Sequence, residues 1–183
     1  GPVVAPSANP SGTISPTSTD HVAAGLDGQI DMVLDGGNCP VGVESTIVSC
    51  LTDKPQILRH GGLVRGDIEA VLGVAIADGA ENAEKPTAPG QLLSHYAPRA
   101  SVRLNVVELH DGETLLGFGP EAGNTGFNLS ATGNLSEAAA NLFKMLHLLD
   151  AQGVEKIAVS PIPADGLGEA INDRLRRAAA PRC

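Results

Sequence analysis

The chain has 183 residues, of which 42% are hydrophobic and 2% aromatic, and its formal net charge is −9. The hydrophobic content is enough for a folded core and argues against intrinsic disorder, and no run approaches the roughly 18 apolar residues of a membrane span. Since avid binders of nucleic acid are basic, the acidic balance predicts weak or no direct contact with RNA or DNA.

The first half of the chain predicts short strands and helices separated by glycine turns. Strands are expected at residues 3–5, 30–34, 43–50 and 55–59. One helix is expected to open at Ser15-Pro16-Thr17, because a hydroxyl can cap it and proline suits its first turn, and to end near Gly25 or Gly28. A second is expected over 67–72. Because the strand at 3–5 begins almost at the first residue, we expect the chain to be part of a longer protein.

The second half predicts alternating strands and helices. Residues 79–100 are rich in proline and polar residues and predict a linker. Strands are expected at 101–109, 114–118 and 156–159, and a final helix at 168–179. The helix between them, capped by Asn134 or Ser136, has an apolar face formed by Leu135, Ala138, Ala139, Leu142, Leu146 and Leu149. This order predicts an α/β fold with parallel strands, divided into residues 1–78, a linker at 79–100, and residues 101–183.

The cysteines and histidines are scattered along the chain. Cys39, Cys50 and Cys183 match neither a zinc pattern nor a disulfide framework, so we expect reduced thiols and a cytoplasmic location. The spacing of the five histidines predicts no metal site built by the protein.

Two pairs of polar residues are candidate ligand contacts. Ser7 and Asn9 lie two residues apart, before a predicted helix, where a hydroxyl and an amide can hold a phosphate; alternatively they satisfy the backbone of their own turn. Ser45 and Thr46 interrupt an apolar strand, which indicates either a ligand or a cross-strand pair at a sheet edge.

Arg59 is a third candidate. It ends a predicted strand, and α/β sheets bind ligands at the carboxyl ends of their strands. A guanidinium suits phosphate or carboxylate, although a surface ion pair would explain it equally.

Taken together and in order, these motifs resemble one family. Residues 5–12 (APSANPSG), 42–47 (GVESTI) and 58–62 (LRHGG) are similar to the second half of a YrdC-like catalytic domain. Residues 89–98 and 166–175 resemble the linker and the end of the C-terminal domain of long, two-domain threonylcarbamoyl-AMP synthases. The resemblance implies a partial YrdC-like α/β domain, a linker, and a small Rossmann-like α/β domain.

The resemblance also implies a reaction. L-Threonine, bicarbonate and ATP, usually with Mg²⁺, would give threonylcarbamoyl-AMP and pyrophosphate, for a tRNA threonylcarbamoyl transferase complex that acts next. No catalytic residue is assigned. By resemblance, the contacts to ATP are Ser7, Asn9, Ser15, Arg59, His95 and Tyr96. Those to L-threonine are Ala5, through its backbone, Ser45, and Thr46 from the same motif.

The chain departs from the family in one respect. The family's basic K-x-R motif and threonine-binding histidine region are missing, so we expect this chain to be inactive alone. Residues 91–94 also lack the basic residues common in the family's linker. Tyr96, the only tyrosine, nevertheless suggests that residues 89–98 form a lid.

Two other functions stay open at this point. A YrdC-like domain could be a binding module for double-stranded RNA or the ribosome. A carbamoyl-adenylate enzyme of hydrogenase maturation shares the fold, but its zinc-finger and acylphosphatase-like regions find no matching cysteine pattern here.

Overall fold

The computed structural model describes residues 1–80, 86–123 and 126–181. Residues 1–80, called the first part below, contain a three-stranded sheet with β1 (Ile47–Ser49), β2 (Gln56–Arg59) and β3 (Ala77–Asp78) in that order. β1 runs antiparallel to β2, whereas β3 runs parallel to it. Two helices accompany the sheet, α1 (Thr19–Leu26) and α2 (Arg65–Leu72).

The second part, from residue 101 onward, contains a parallel sheet with helices against it. Its strands are β4 (Ser101–Arg103), β5 (Thr114–Leu116) and β6 (Lys156–Val159), in the order β4-β6-β5. The main helices are α3 (Leu135–Ala151) and α4 (Leu167–Ala179), which pack on each other. The predicted α/β class with parallel strands is confirmed, while the division at residues 78 and 100 stays a prediction.

The helix α3 follows the predicted pattern. The side chain of Asn134, rather than Ser136, caps it by accepting a hydrogen bond of 2.9 Å from the backbone N–H of Glu137. Its apolar face is buried in a core that also takes in Ile14 and Tyr96. Residues from the first part and from the predicted linker therefore share one core with the second part.

Two predicted strands are wrong. Residues 3–5 and 30–34 form no strand, and Met32 and Leu34 are 74% and 84% exposed. An apolar segment forms a strand only where a neighbouring strand pairs with it, and no described strand lies beside either segment.

Other elements exist but are shorter than predicted. Helix α1 begins at Thr19, because the Ser18 hydroxyl and not the 15–17 segment caps it. β1 spans only three of the eight predicted residues, because its pairing with β2 begins at Ile47. β4 ends before Asn105, whose φ of +55° takes the backbone out of the extended region.

The described part of the linker, residues 86–100, is irregular but well packed. Ala88, Gln91, Tyr96 and Ala100 are buried in it. Residues 81–85 of the predicted linker and Cys183 lie outside the described residues. In the described ranges Cys39 and Cys50 are free thiols, and no helix is both long and apolar enough to cross a membrane.

A pair of stacked histidines joins α1 to α3. The rings of His21 and His147 are 3.8 Å apart at their centroids. His21 Nδ1 accepts from the backbone N–H of Thr17 at 3.2 Å, and His147 Nε2 lies 3.1 Å from the carbonyl oxygen of Ser15. Burial, followed by the neighbouring His147, lowers the pKa of His21 to about 4, and burial lowers that of His147. Both rings are therefore neutral at pH 7.

Acidification is expected to destabilise the protein through this histidine pair. The pKa of each imidazole is near 6.5 in the unfolded chain and lower in the folded protein, so the unfolded state binds more protons as the pH falls below about 6.5. The thermal midpoint should stay level above about pH 7 and fall between about pH 6.5 and pH 5, before most carboxylates titrate.

The variant His21→Asn isolates this effect, because an amide oxygen can replace Nδ1 as the acceptor for Thr17. We expect it to show a smaller acid-induced fall than the parent but not to abolish it, since His147 and His95, whose pKa values burial also lowers, remain. His110→Asn, at a side chain that is 71% exposed, is the control and should keep the full fall. An identical fall in His21→Asn and in the parent contradicts the prediction.

Candidate active site

A cavity of about 480 Å³ lies where the loops of the first part meet the predicted linker. Its described lining residues are Ala5, Pro6, Ser7, Ser15, Glu44, Ser45, Ile47, Arg59, Pro89, Gly90, His95 and Tyr96. A larger cavity, about 590 Å³, lies at the carboxyl edge of the parallel sheet, but its lining is mainly apolar. The cavity at Arg59 brings hydroxyl, carboxylate, guanidinium and imidazole groups together with most of the contact residues predicted from the sequence, so we take it as the candidate site.

Seven residues predicted from the sequence converge on this cavity: Ala5, Ser7, Ser15, Ser45, Arg59, His95 and Tyr96. They come from segments that are far apart in the chain. Their convergence is what a single ligand site requires, although it does not by itself assign a role to any of them.

Asn9 and Thr46 do not line this cavity. The Asn9 amide nitrogen lies 3.2 Å from both the carbonyl oxygen and the hydroxyl of Thr13, as in the turn alternative. Thr46 donates its hydroxyl to the carbonyl of Leu63 at 2.6 Å and accepts from the N–H of Leu63 at 3.2 Å. In this structure both side chains hydrogen-bond to backbone groups, and their predicted contacts to a ligand stay predictions.

Arg59 connects two walls of the cavity. Its Nη2 donates to the carbonyl oxygen of Ser45 at 2.8 Å and to the Ser45 hydroxyl at 3.2 Å, while Nη1 donates to the carbonyl oxygen of Pro89 at 3.3 Å. The turn after β2 helps to place it, because a Cβ on Gly61 would lie 2.5 Å from the backbone nitrogen of Thr46. Glycine allows this close approach of two backbone segments.

Glu44 is a lining residue that the sequence did not assign. Its Oε1 accepts from the Ser15 hydroxyl at 2.7 Å, and its Oε2 accepts from Nε of Arg174, on α4, at 2.8 Å. Burial favours a raised pKa, but the charge of Arg174 and the Ser15 hydroxyl outweigh it and hold the pKa of Glu44 below its usual value. The sequence signal for Glu44 was a carboxylate inside a predicted apolar strand, because a buried charge needs a partner.

The predicted linker forms one wall of the cavity. The buried amide of Gln91 accepts from the N–H groups of Thr87 and Ala88 at 2.7 and 3.0 Å and donates to the carbonyl of Leu58 at 3.0 Å. At Gly90 φ is +83°, and a Cβ there would collide with the Tyr96 hydroxyl. This position accepts glycine alone without strain.

His95 offers the cavity an unused polar atom. Its Nδ1 is buried and has no hydrogen-bond partner among the described residues. Burial lowers the pKa of His95, and nearby arginines add to that effect against the opposing charge of Glu44. Burial likewise raises the pKa of Tyr96. Both side chains are therefore neutral at pH 7 and can exchange hydrogen bonds with a ligand.

Two family models match the chain. Residues 64–180 match "Threonylcarbamoyl-AMP synthase, C-terminal domain", and residues 1–61 match a model described as "Telomere recombination".

Curated relatives match almost the whole chain. Proteins named threonylcarbamoyl-AMP synthase from Bacillus subtilis and Pyrococcus abyssi are 36% and 37% identical to it over 99% of its length. One from Schizosaccharomyces pombe is 35% identical over 98%. The chain spans 58% of the length of the first two relatives and 52% of the third.

Solved structures agree in fold. The crystal structure of P. abyssi Sua5 complexed with L-threonine superposes with a TM-score of 0.81 at 35% identity, covering 95% of this chain and 56% of that one. A P. abyssi Sua5 variant with alanine in place of an adjacent histidine and tyrosine gives a TM-score of 0.76 at 30% identity, with the same coverage of both chains.

Removing the Gln91 amide is expected to loosen the linker wall. Gln91→Ala leaves buried N–H groups and the carbonyl of Leu58 without a partner, so the protein should lose about 1–3 kcal/mol of stability. Backbone amides of residues 86–98 should exchange with deuterium faster, while those of β6 change less. Leu93→Ala, at a neighbour that is 60% exposed, is the control. Equal exchange rates in both variants would mean that Gln91 does not hold this wall.

Proposed function

Because the chain belongs to the threonylcarbamoyl-AMP synthase family, we propose that its cavity is part of the active site of an L-threonylcarbamoyladenylate synthase. The observation that carries the proposal is the convergence of seven predicted contact residues, from distant segments, on that cavity. The names of the relatives favour this function over the RNA-binding or ribosome-associated module.

The proposed reaction has two bond-forming steps. The amine of L-threonine attacks the carbon of bicarbonate and forms a carbamate with loss of water. A carbamate oxygen then attacks the α-phosphorus of ATP, and the bond to the β-phosphate oxygen breaks to release pyrophosphate. Neither step needs a covalent bond to the protein, so the protein contributes positioning and charge stabilisation.

We assign the lining residues to the two substrates as the family resemblance implies. Ser7, Ser15, Arg59, His95 and Tyr96 face ATP, and the guanidinium of Arg59 suits a phosphate oxygen. On the other side, the backbone of Ala5 and the hydroxyl of Ser45 face L-threonine. The Sua5 structure complexed with L-threonine supports threonine as the amino-acid substrate.

We propose that residues 89–98 act as a lid on the adenylate. Pro89, Gly90, His95 and Tyr96 already form one wall of the cavity, and an acyl-adenylate needs protection from water. In a protein of the relatives' full length, Gln91→Ala should therefore raise the proportion of adenylate hydrolysed to AMP. An unchanged ratio of AMP to product would contradict the lid.

Mg²⁺ fits this proposal only as a companion of ATP. No cluster of three metal-binding side chains occurs in the described ranges, and both oxygens of Glu44, the one carboxylate among the described lining residues, have partners. Phosphate oxygens and water would therefore have to supply most of the ligands of the ion.

The proposal also covers the cellular location and the partners that the sequence predicts. We place the reaction in the cytoplasm, where reduced thiols persist. The product would pass to a tRNA threonylcarbamoyl transferase complex, and this chain itself would contact nucleic acid weakly or not at all.

The 183-residue chain by itself is expected to release no pyrophosphate in a threonine-dependent manner. Its sequence has no K-x-R motif, which the family resemblance implies for binding the triphosphate. The measurement is pyrophosphate release from ATP and bicarbonate with and without L-threonine, beside a protein of the relatives' full length that contains this chain. Release by the longer protein alone supports the proposal, and release by neither contradicts the synthase function.

Arg59→Ala, made in that longer protein, is expected to weaken ATP binding by about 1.5–3 kcal/mol, the scale of a charge-assisted hydrogen bond. The affinity for L-threonine without nucleotide should change less. Calorimetric titration measures both affinities, and Lys54→Ala, at an exposed base earlier in the chain, is the control. Equal ATP affinity in Arg59→Ala and the parent would remove Arg59 from the site.

A further inference from the structure

We infer that Arg174 is a positioning residue: from α4 it fixes, through Glu44 and Tyr96, the side of the cavity that takes ATP. The inference rests on the proposed function, because it uses the assignment of Ser15 and Tyr96 to the nucleotide. Arg174 does not itself line the cavity.

The guanidinium of Arg174 is fully buried and makes directed contacts with three segments. The exposed fraction of its side chain is 0%. Nε donates to Glu44 at 2.8 Å, Nη1 to the carboxylate of Asp173 at 2.6 Å, and Nη2 to the carbonyl of His60 at 2.9 Å. A lysine carries a single nitrogen and cannot reach all three acceptors in this planar arrangement.

One branch of this network reaches the cavity through Glu44. While Oε2 of Glu44 accepts from Arg174, its Oε1 accepts from the Ser15 hydroxyl at 2.7 Å. Ser15 is only 5% exposed, so its hydroxyl has little freedom to find another partner. The orientation of Ser15 toward a ligand therefore depends on a carboxylate that Arg174 holds in place.

The other branch reaches the cavity through the aromatic ring of Tyr96. The guanidinium carbon of Arg174 lies 5.1 Å from the centroid of that ring, within the range of a cation–π contact. Phe143 contacts the same ring at 5.4 Å between centroids. The backbone of Tyr96 has a φ of +59°, which a bulky residue rarely adopts, so these contacts must hold it there.

The backbone on the threonine side of the cavity has hydrogen bonds of its own, in addition to the contacts of Arg174 with the adjoining Glu44 and His60. The carbonyl of Glu44 accepts from the N–H of Gly62 at 2.9 Å, and Arg59 holds the carbonyl of Ser45. A change at Arg174 should therefore alter the ATP side of the cavity more than the position of Ser45. This asymmetry distinguishes positioning from a general loss of structure.

The test uses Arg174→Lys in a protein of the relatives' full length that contains this chain. Calorimetric titration should show the Kd for ATP rising about tenfold, the scale of one lost directed hydrogen bond, with the Kd for L-threonine unchanged within about twofold. The stoichiometry of L-threonine binding should stay at that of the parent, which reports that the protein is folded. Arg176→Lys, at a neighbour whose side chain is 62% exposed, is the matched control and should match the parent in both titrations.

A second set of variants covers the case in which Arg174→Lys lowers the stoichiometry. Glu44→Gln, Arg174→Met and their combination form a double-mutant cycle that removes the buried charges singly and together. Positioning through Glu44 predicts that the combination weakens ATP binding no more than the worse single variant. Effects that multiply independently, or equal losses for ATP and L-threonine, overturn the inference.

The outcomes separate the two proposals. A parent protein that binds both ligands, with an Arg174→Lys variant that keeps the parent's ATP affinity, overturns the positioning role alone. A parent that binds neither ATP nor L-threonine overturns the proposed function, and the inference with it.

Discussion

Burying the guanidinium of Arg174 beside the carboxylate of Glu44 constrains the whole molecule. The two residues are 130 positions apart in the chain, yet the buried guanidinium of Arg174 lies 2.8 Å from the carboxylate of Glu44, whose side chain is 20% exposed. Removing one partner of a buried pair leaves an uncompensated charge and typically costs about 3–5 kcal/mol. The pair therefore ties the first part of the chain to the second.

The helix α4 makes this placement specific because it buries two kinds of surface. Ile171 and Leu175 belong to the apolar core shared with α3, and such contacts tolerate small displacements. Asp173, Arg174 and Arg177 are also buried, and their hydrogen bonds need particular acceptors. Apolar packing thus supplies most of the driving force for association, while the buried charges select the geometry that closes the cavity.

Local patterns in the sequence predict the elements that local physics determines. Helix α3 has a capping side chain and an apolar face at helical spacing, so its existence and its buried residues follow from the sequence. The failed strand at 30–34 is mostly apolar but has no partner strand, and partners are not a local property. β4 ends just before Asn105, whose backbone lies in the left-handed region. Asparagine tolerates that conformation, but an asparagine in the sequence does not by itself predict it.

The candidate site divides along the same line. Arg59 and Ser45 could be selected from their types and positions, and the family resemblance added Ala5, His95 and Tyr96. The dependence of Ser15 on Glu44, and of Glu44 on Arg174, arises from contacts over 29 and 130 positions that no spacing encodes. The sequence signal was indirect, a carboxylate in an apolar strand and an arginine on the inner face of an amphipathic helix, each of which needs a partner elsewhere.

The way the charges are used explains what kind of chemistry the cavity suits. Glu44 is occupied by Arg174 and Ser15, and Arg59 already holds two backbone carbonyl groups, so both charged groups are fixed in position. His95 and Tyr96 are neutral because burial disfavours their charged forms. The cavity therefore combines fixed charges with neutral hydrogen-bonding groups. It is well suited to a reaction between bound reactants whose rate depends on orientation and on exclusion of water.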